Sequence, residues 1–93
     1  MADRLGETTV LARTRAYVEE SFLYMRPGFV LGDHDRLIEK GVIDSMGVLE
    51  LIGFLETAFG VTVTDEEINE DNLGSLADIA RYVTVRHRNG AAA

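Results

Sequence analysis

Two histidines, His34 and His87, and no cysteine limit the metal and nucleophile chemistry open to this 93-residue chain. The histidines lie far apart in sequence, so neither a zinc site nor a nucleophile–base pair has a second member nearby, and both read as surface residues. Asp33-His34-Asp35 opens like a calcium loop. Its sixth position, however, is Ile38 where that loop turns on glycine, and its fifth is Leu37, which has no side-chain oxygen to offer. The acids Glu19-Glu20 and Asp65-Glu66-Glu67 fall where helices ordinarily carry solvated charge, with no pocket-building sequence around them. Ser45 remains. It follows Asp44 and precedes an apolar helical run, which places it in the first turn of a helix. There the unpaired backbone N–H groups and the positive end of the helix dipole favour an anion such as a phosphodiester. By itself Asp-Ser is only a helix start with Asp44 as its cap.

The elements that must position this serine are helical. From Thr9 to Met25, Leu11, Val18, Phe22 and Met25 recur at helical spacing with Val10 and Tyr17 beside them, and Arg26-Pro27-Gly28 ends that helix. A long connection to Ile43 follows. Connections of this length need internal order, which Phe29, Leu31, Leu37 and Ile38 supply by pinning it to the core, with a helical turn expected over Asp35 to Glu39. The second helix begins at Asp44 and stops at Gly60. On a wheel its core side carries Val48, Leu51, Ile52, Leu55, Ala58 and Phe59, while Met46, Leu49, Glu50, Gly53 and Thr57 gather on a mixed outer face. Thr64 with Glu67 and Ser75 with Asp78 match the capping pattern of a hydroxyl followed three residues later by an acid. They predict a short third helix, Asp65 to Glu70 with Ile68 as its apolar anchor, and a fourth carrying Leu76, Ile79, Ala80 and Val83 inward. The expected fold is all-α: a four-helix bundle of three longer helices and one short one, with a long loop between the first two. Residues 1–88 form the single domain, and Asn89 to Ala93 read as a disordered tail.

Charge narrows the function. The net charge is −7, and residues 44–72 hold eight acids and no Lys or Arg, whereas residues 1–43 hold seven acids and six bases. Nucleic acid is excluded as a partner, because binding phosphates needs clustered cations. No apolar run approaches the roughly 20 residues of a membrane span, so the chain reads as soluble, cytoplasmic and free of the membrane. The acidic segment is either a solvated face or a docking surface for basic patches.

Gly41-Val42-Ile43-Asp44-Ser45-Met46, with Val48-Leu49-Glu50-Leu51-Ile52, Phe54-Leu55-Glu56 and Phe59-Gly60-Val61, resembles the signature of acyl and peptidyl carrier proteins. The resemblance continues through Val63, Asp65-Glu66-Glu67-Ile68, Leu73, Leu76, Ile79 and Val83, about residues 8 to 85. It implies an acyl-carrier-type fold in which Ser45 accepts 4'-phosphopantetheine from coenzyme A through a magnesium-dependent phosphopantetheinyl transferase. Asp44 then serves as both cap and transferase contact. The chain would be a substrate and not an enzyme, holding an acyl or aminoacyl group as a thioester on an arm that brings its own thiol. Its partners would be the transferase, a loading enzyme (adenylating ligase or acyltransferase) and downstream acyl-processing or transfer enzymes, with the carrier itself a monomer.

Partner contact falls on Met46, Leu49, Glu50, Gly53, Glu56 and Ile68, where apolar surface would hold an enzyme and charge would orient it. Many fatty-acid carriers place an acid after the Asp-Ser-Leu core, and this chain has Gly47. Asp-Ser-Met-Gly is closer to free-standing carriers charged by adenylating ligases, D-alanyl carriers among them, and secondary-metabolite biosynthesis of polyketides or nonribosomal peptides is the expected setting. Gly47 is also expected to loosen the first turn or to admit a partner closely, since glycine gives up about 1 kcal/mol of helix propensity relative to alanine. The competing expectation is an acidic helical adaptor that binds a basic protein without a prosthetic group.

Overall fold

The computed structural model describes residues 6–92, with side chains described through Arg88. Four α-helices follow one another: α1, Glu7–Phe22; α2, Ser45–Phe59; α3, Glu70–Leu73; and α4, Leu76–Ala92, with a 3₁₀ turn at Asp65–Glu67 ahead of α3. Among the described residues there is no strand. The architecture is an all-α bundle of four helices, three longer and one short, as the apolar spacing implies, and it agrees with the fold that the carrier-protein resemblance leads one to expect. No helix of the described residues is long and apolar enough to cross a membrane. The backbone of α4 continues through residues 89–92, into the stretch read from sequence as a tail, and Ala93 lies outside the described residues.

α1 and α4 make the closest pair. The inward stripe of α1 is Val10, Thr14 and Val18, at i, i+4 and i+8, and it meets Leu76, Ile79, Ala80 and Val83 in one core, all of them buried. The sequence places α1 slightly differently. Leu11 and Phe22 are only part-buried, and Met25 is 76% exposed because the helix has already ended at Phe22. The reason is Leu23, which turns into the core and caps the helix, its N–H donating to the Glu19 carbonyl at 3.2 Å. Thr14 is an exception within the stripe: its Oγ1 is buried and has no hydrogen-bond partner. A buried hydroxyl left unpaired is unfavourable by about 1–3 kcal/mol. Thr14→Val keeps the shape and removes the orphan, and is expected to raise stability by about 1 kcal/mol, roughly 4–8 °C in melting temperature for a domain of this size. An unchanged or lowered melting temperature would show that the hydroxyl is satisfied in solution.

The loop between α1 and α2 is ordered by buried Leu31 and Leu37, and by Arg15, which reaches from α1 to the Leu31 carbonyl at 2.5 Å and to the Asp33 carboxylate. Two backbone bonds tie it to the turn between α3 and α4 and to the first turn of α4: Leu37 N–H to the Gly74 carbonyl and Ala77 N–H to the Asp33 carbonyl, each 2.9 Å. The expected helical turn is a bonded turn from Arg36 to Lys40, closed by Gly41 at φ 72°. Ile38 does not pin the loop as expected, since it stands 50% exposed.

α2 stands off from α1, and aromatic rings fill the seam. Tyr17 stacks on Phe54 with centroids 4.2 Å apart, Phe22 meets Tyr17 edge-on at 5.9 Å, and Phe59 meets Phe54 edge-on at 5.8 Å. Leu51, Ile52, Leu55 and Phe59 are buried while Val48 and Ala58 are part-buried, which is the core side the wheel assigns. Gly60 ends α2 in the left-handed conformation, φ 70°, its N–H donating to the Glu56 carbonyl at 3.0 Å.

The third helix is the largest departure from the sequence reading. In place of one helix over Asp65 to Glu70 there are two short turns broken at Ile68, and the buried anchor is Leu73, with Ile68 36% exposed. Glu67 is responsible: it accepts from the Thr64 N–H at 3.1 Å and from the Tyr82 hydroxyl at 2.7 Å, and pairs with Arg86 at 3.5 Å. Bonding of this carboxylate to Tyr82, then to Thr64, holds its pKa below the ordinary range. Asn69 then restarts the chain as cap of α3, accepting from Asn72 N–H at 2.9 Å.

Candidate functional site

Asp44 is the N-cap of α2: it has extended backbone angles, and its Oδ1 accepts from the Gly47 N–H at 2.8 Å. Ser45 is thereby the first residue inside the helix, exposed, with no hydrogen bond to its hydroxyl among the described residues. Capping belongs to Asp44, so the serine oxygen is free. A phosphate esterified there would sit over the unbonded N–H groups of the first turn, at the end of the helix that favours negative charge.

A groove of about 310 Å³ begins at Ser45. One wall is Val48 and Leu49 of α2, the opposite wall is Ile68, Leu73 and Gly74 around α3, and Arg36 and Ile38 come from the loop. Ile38 and Ile68, read from sequence as core anchors, are thus brought together beside the serine. Sequence reasoning missed Arg36 and Gly74 altogether. Their signal is spatial, because Arg36 pairs with Glu70 and Asp78 at sequence separations of 34 and 42.

On the outer face Met46 is 70% and Leu49 60% exposed, within one turn of Ser45. Glu50 is exposed; its backbone carbonyl accepts from the Tyr17 hydroxyl at 3.2 Å while its carboxylate points to no described partner. Gly53, one turn further, is exposed, and a Cβ built on it would meet nothing within 4 Å. It is a notch in the outer face with no internal packing to explain it. Glu56 is placed differently. Its Oε2 accepts from the Val63 N–H at 3.0 Å, so this acid holds the chain leaving α2 and is only part-exposed.

Gly47 also departs from expectation. It is buried, and a Cβ there would lie 3.1 Å from Phe22 Cε1 and 3.2 Å from Ile43 Cβ. The close approach it allows is internal, α2 onto the end of α1, and its N–H is the one that Asp44 caps. The acidic segment likewise divides by use. Asp44, Glu56, Glu67 and Glu70 have partners within the chain, whereas the side chains of Glu50, Asp65, Glu66 and Asp71 meet no described cation or donor. Among the described residues no three of His, Cys, Asp or Glu are grouped so as to hold a metal.

The sequence matches the model of the phosphopantetheine attachment site family over residues 21–83, about two thirds of the chain. The chain belongs to that family. It is a carrier that bears a covalent 4'-phosphopantetheine arm, and the arm supplies a thiol to a chain that has none. Carriers of this family receive the arm from a phosphopantetheinyl transferase, pass their cargo among partner enzymes, and are as a rule not catalysts themselves. Comparison with curated proteins finds no match. The residues of this carrier fit the group: an exposed hydroxyl with no competing bond stands at a helix start with an open groove beside it.

Proposed function

We propose that Ser45 carries the arm, and that the chain shuttles an acyl or aminoacyl group, loaded by a separate enzyme, between the enzymes of a secondary-metabolite pathway. Residues 1–88 act as one carrier domain. The observation that carries the assignment is the free, exposed hydroxyl of Ser45 at the capped start of α2. The matched span holds two other serines. Ser75 is 1% exposed and its Oγ accepts from the Asp78 N–H at 3.1 Å, while Ser21 lies part-buried inside α1. Ser75 is thus shut in, and Ser21 sits in the last turn of α1 away from any helix start, so Ser45 is favoured over both.

In the transfer, Ser45 Oγ forms a bond to phosphorus, the pyrophosphate bond of coenzyme A breaks, and adenosine bisphosphate leaves. The hydroxyl proton goes to a base on the transferase. Asp44 keeps the first turn wound while this happens and is the acid nearest in sequence to the oxygen that reacts. The test is to incubate the protein with coenzyme A, magnesium and a promiscuous phosphopantetheinyl transferase, then weigh it intact and map the modified peptide. One arm on the peptide containing Ser45 is expected; no mass gain, or an arm elsewhere, rejects the proposal.

The transferase and the loading enzyme would approach over Met46, Leu49, Glu50, Gly53 and Ile68, with basic residues facing the acids of α2. Glu50 and Glu56 have different parts in this. Glu50→Lys is expected to slow arm transfer about tenfold, the loss of roughly 1.4 kcal/mol of contact at a steered interface, with the melting temperature unchanged. Glu56→Lys removes a charge-assisted bond to the Val63 amide and is expected to lower stability by about 1–2 kcal/mol. Transfer at the wild-type rate in Glu50→Lys would mean that this acid is merely solvated.

A further inference from the structure

α3 is four residues long, and Leu73 is its one buried side chain. A single turn with one anchor has no stability of its own, so its position has to be imposed from outside. On the side facing the groove, Arg36 imposes it. The guanidinium forks between two elements: Nη1 donates to Asp78 Oδ2 of α4 at 3.0 Å, and Nη2 donates to the Glu70 carbonyl at 3.1 Å and to Glu70 Oε1 at 2.9 Å. It crosses the turn between α3 and α4 in the space a side chain at position 74 would take, since a Cβ on Gly74 would lie 2.6 Å from Arg36 Cζ. Arg36 also lines the groove that begins at Ser45. Bonding to Glu70 raises the Arg36 pKa; for Asp78 burial is the largest single influence and pushes upward, but bonds from Ser75, Arg81 and Arg36 together hold its pKa below the ordinary value.

We infer that Arg36 is a positioning residue for arm transfer: seated over Gly74 and bridging Glu70 to Asp78, it holds α3 at the distance from Ser45 at which one transferase surface touches α2 and α3 together. A standard protein interface covers about 800 Å² per partner, a disc of roughly 16 Å radius. An enzyme closing on Ser45 therefore covers the opposite wall of the adjoining groove as well. If α3 swings away, the enzyme must order it on binding, which raises KM, while the Ser45 hydroxyl on α2 reacts as before and kcat holds. Lysine cannot substitute, because a single ammonium does not reproduce the planar fork that reaches both acids.

This inference rests on Ser45 as the attachment point, and the experiment separates the two. Arg36→Met, Arg36→Lys and Glu70→Gln are compared with the wild type by transferase kinetics with coenzyme A and by native-state hydrogen exchange. Arg36→Met is expected to raise KM about tenfold with kcat within twofold, and to speed exchange of amides 69–74 about tenfold while the α1 and α4 core stays protected. Arg36→Lys should behave like Arg36→Met, and Glu70→Gln, which keeps the carbonyl acceptor, should raise KM about threefold. An unchanged KM in Arg36→Met, or unchanged exchange over 69–74, overturns the role of Arg36; should that variant fail to fold, the same two readings on Glu70→Gln decide. A wild-type chain that gains no mass instead rejects Ser45 as the attachment point, and the exchange comparison still judges the clamp.

Discussion

Ser45→Ala is expected to end arm attachment completely while leaving unfolding stability within about 0.5 kcal/mol of wild type, as for surface changes generally. The separation follows from the division of labour at the start of α2. Asp44 caps the helix through the Gly47 N–H, and the Ser45 side chain lies exposed without a described hydrogen bond, so removing its oxygen leaves no group unsatisfied. Alanine is also the better helix former. Asp44→Ala should do the reverse to the fold, lowering stability by about 1 kcal/mol through loss of the cap. Intact mass after transferase treatment and urea denaturation check the pair. Residual arm on Ser45→Ala, or a loss of stability beyond 2 kcal/mol, would mean that the hydroxyl has an internal structural role and that the tether lies elsewhere.

What could be read from the sequence depended on how local the cause was. α2 was legible to the residue, because its cap, its core stripe and its terminating glycine all lie within a 17-residue window from Asp44 to Gly60. The same holds for Ser75 as cap of α4, and for the freedom of Ser45, which follows from Asp44 preceding it. α3 was misread because its geometry is set from far away. Glu67 spends its carboxylate on Tyr82 and Arg86, and Arg36 fixes Glu70 from the loop, so the chain breaks at Ile68 where local spacing suggests continuity. The end of α1 was misplaced for a related reason: the Pro27 signal is real, but burial of Leu23 stops the helix first. Glu56 and Glu50 differ by six positions and share a charge, and only the path of residues 61–63 beneath α2 distinguishes a structural acid from a free one.

Gly47→Leu is expected to destabilise the carrier by about 3 kcal/mol, the upper end of what overpacking a core does. At this position helix propensity and space pull in opposite directions. Alanine gains about 1 kcal/mol of propensity, and its Cβ meets two neighbours that respond differently. Phe22 can swing its ring edge aside from 3.1 Å, whereas Ile43 offers its Cβ at 3.2 Å, fixed to a buried stretch of backbone. A shift of a few tenths of an ångström absorbs one methyl, so Gly47→Ala should be close to neutral. Leucine adds three more carbons where Phe22 and Ile43 already crowd the first, drives Phe22 from its edge contact with Tyr17, and levers the first turn of α2 away from α1. Since that turn bears Ser45, arm transfer should fall together with stability in Gly47→Leu and remain normal in Gly47→Ala. Urea midpoints for both variants, read beside transferase rates, check the graded response. Should leucine be accommodated with a loss below 1 kcal/mol, close packing would not be the reason that position 47 lacks a side chain, and approach by a partner would return as the explanation.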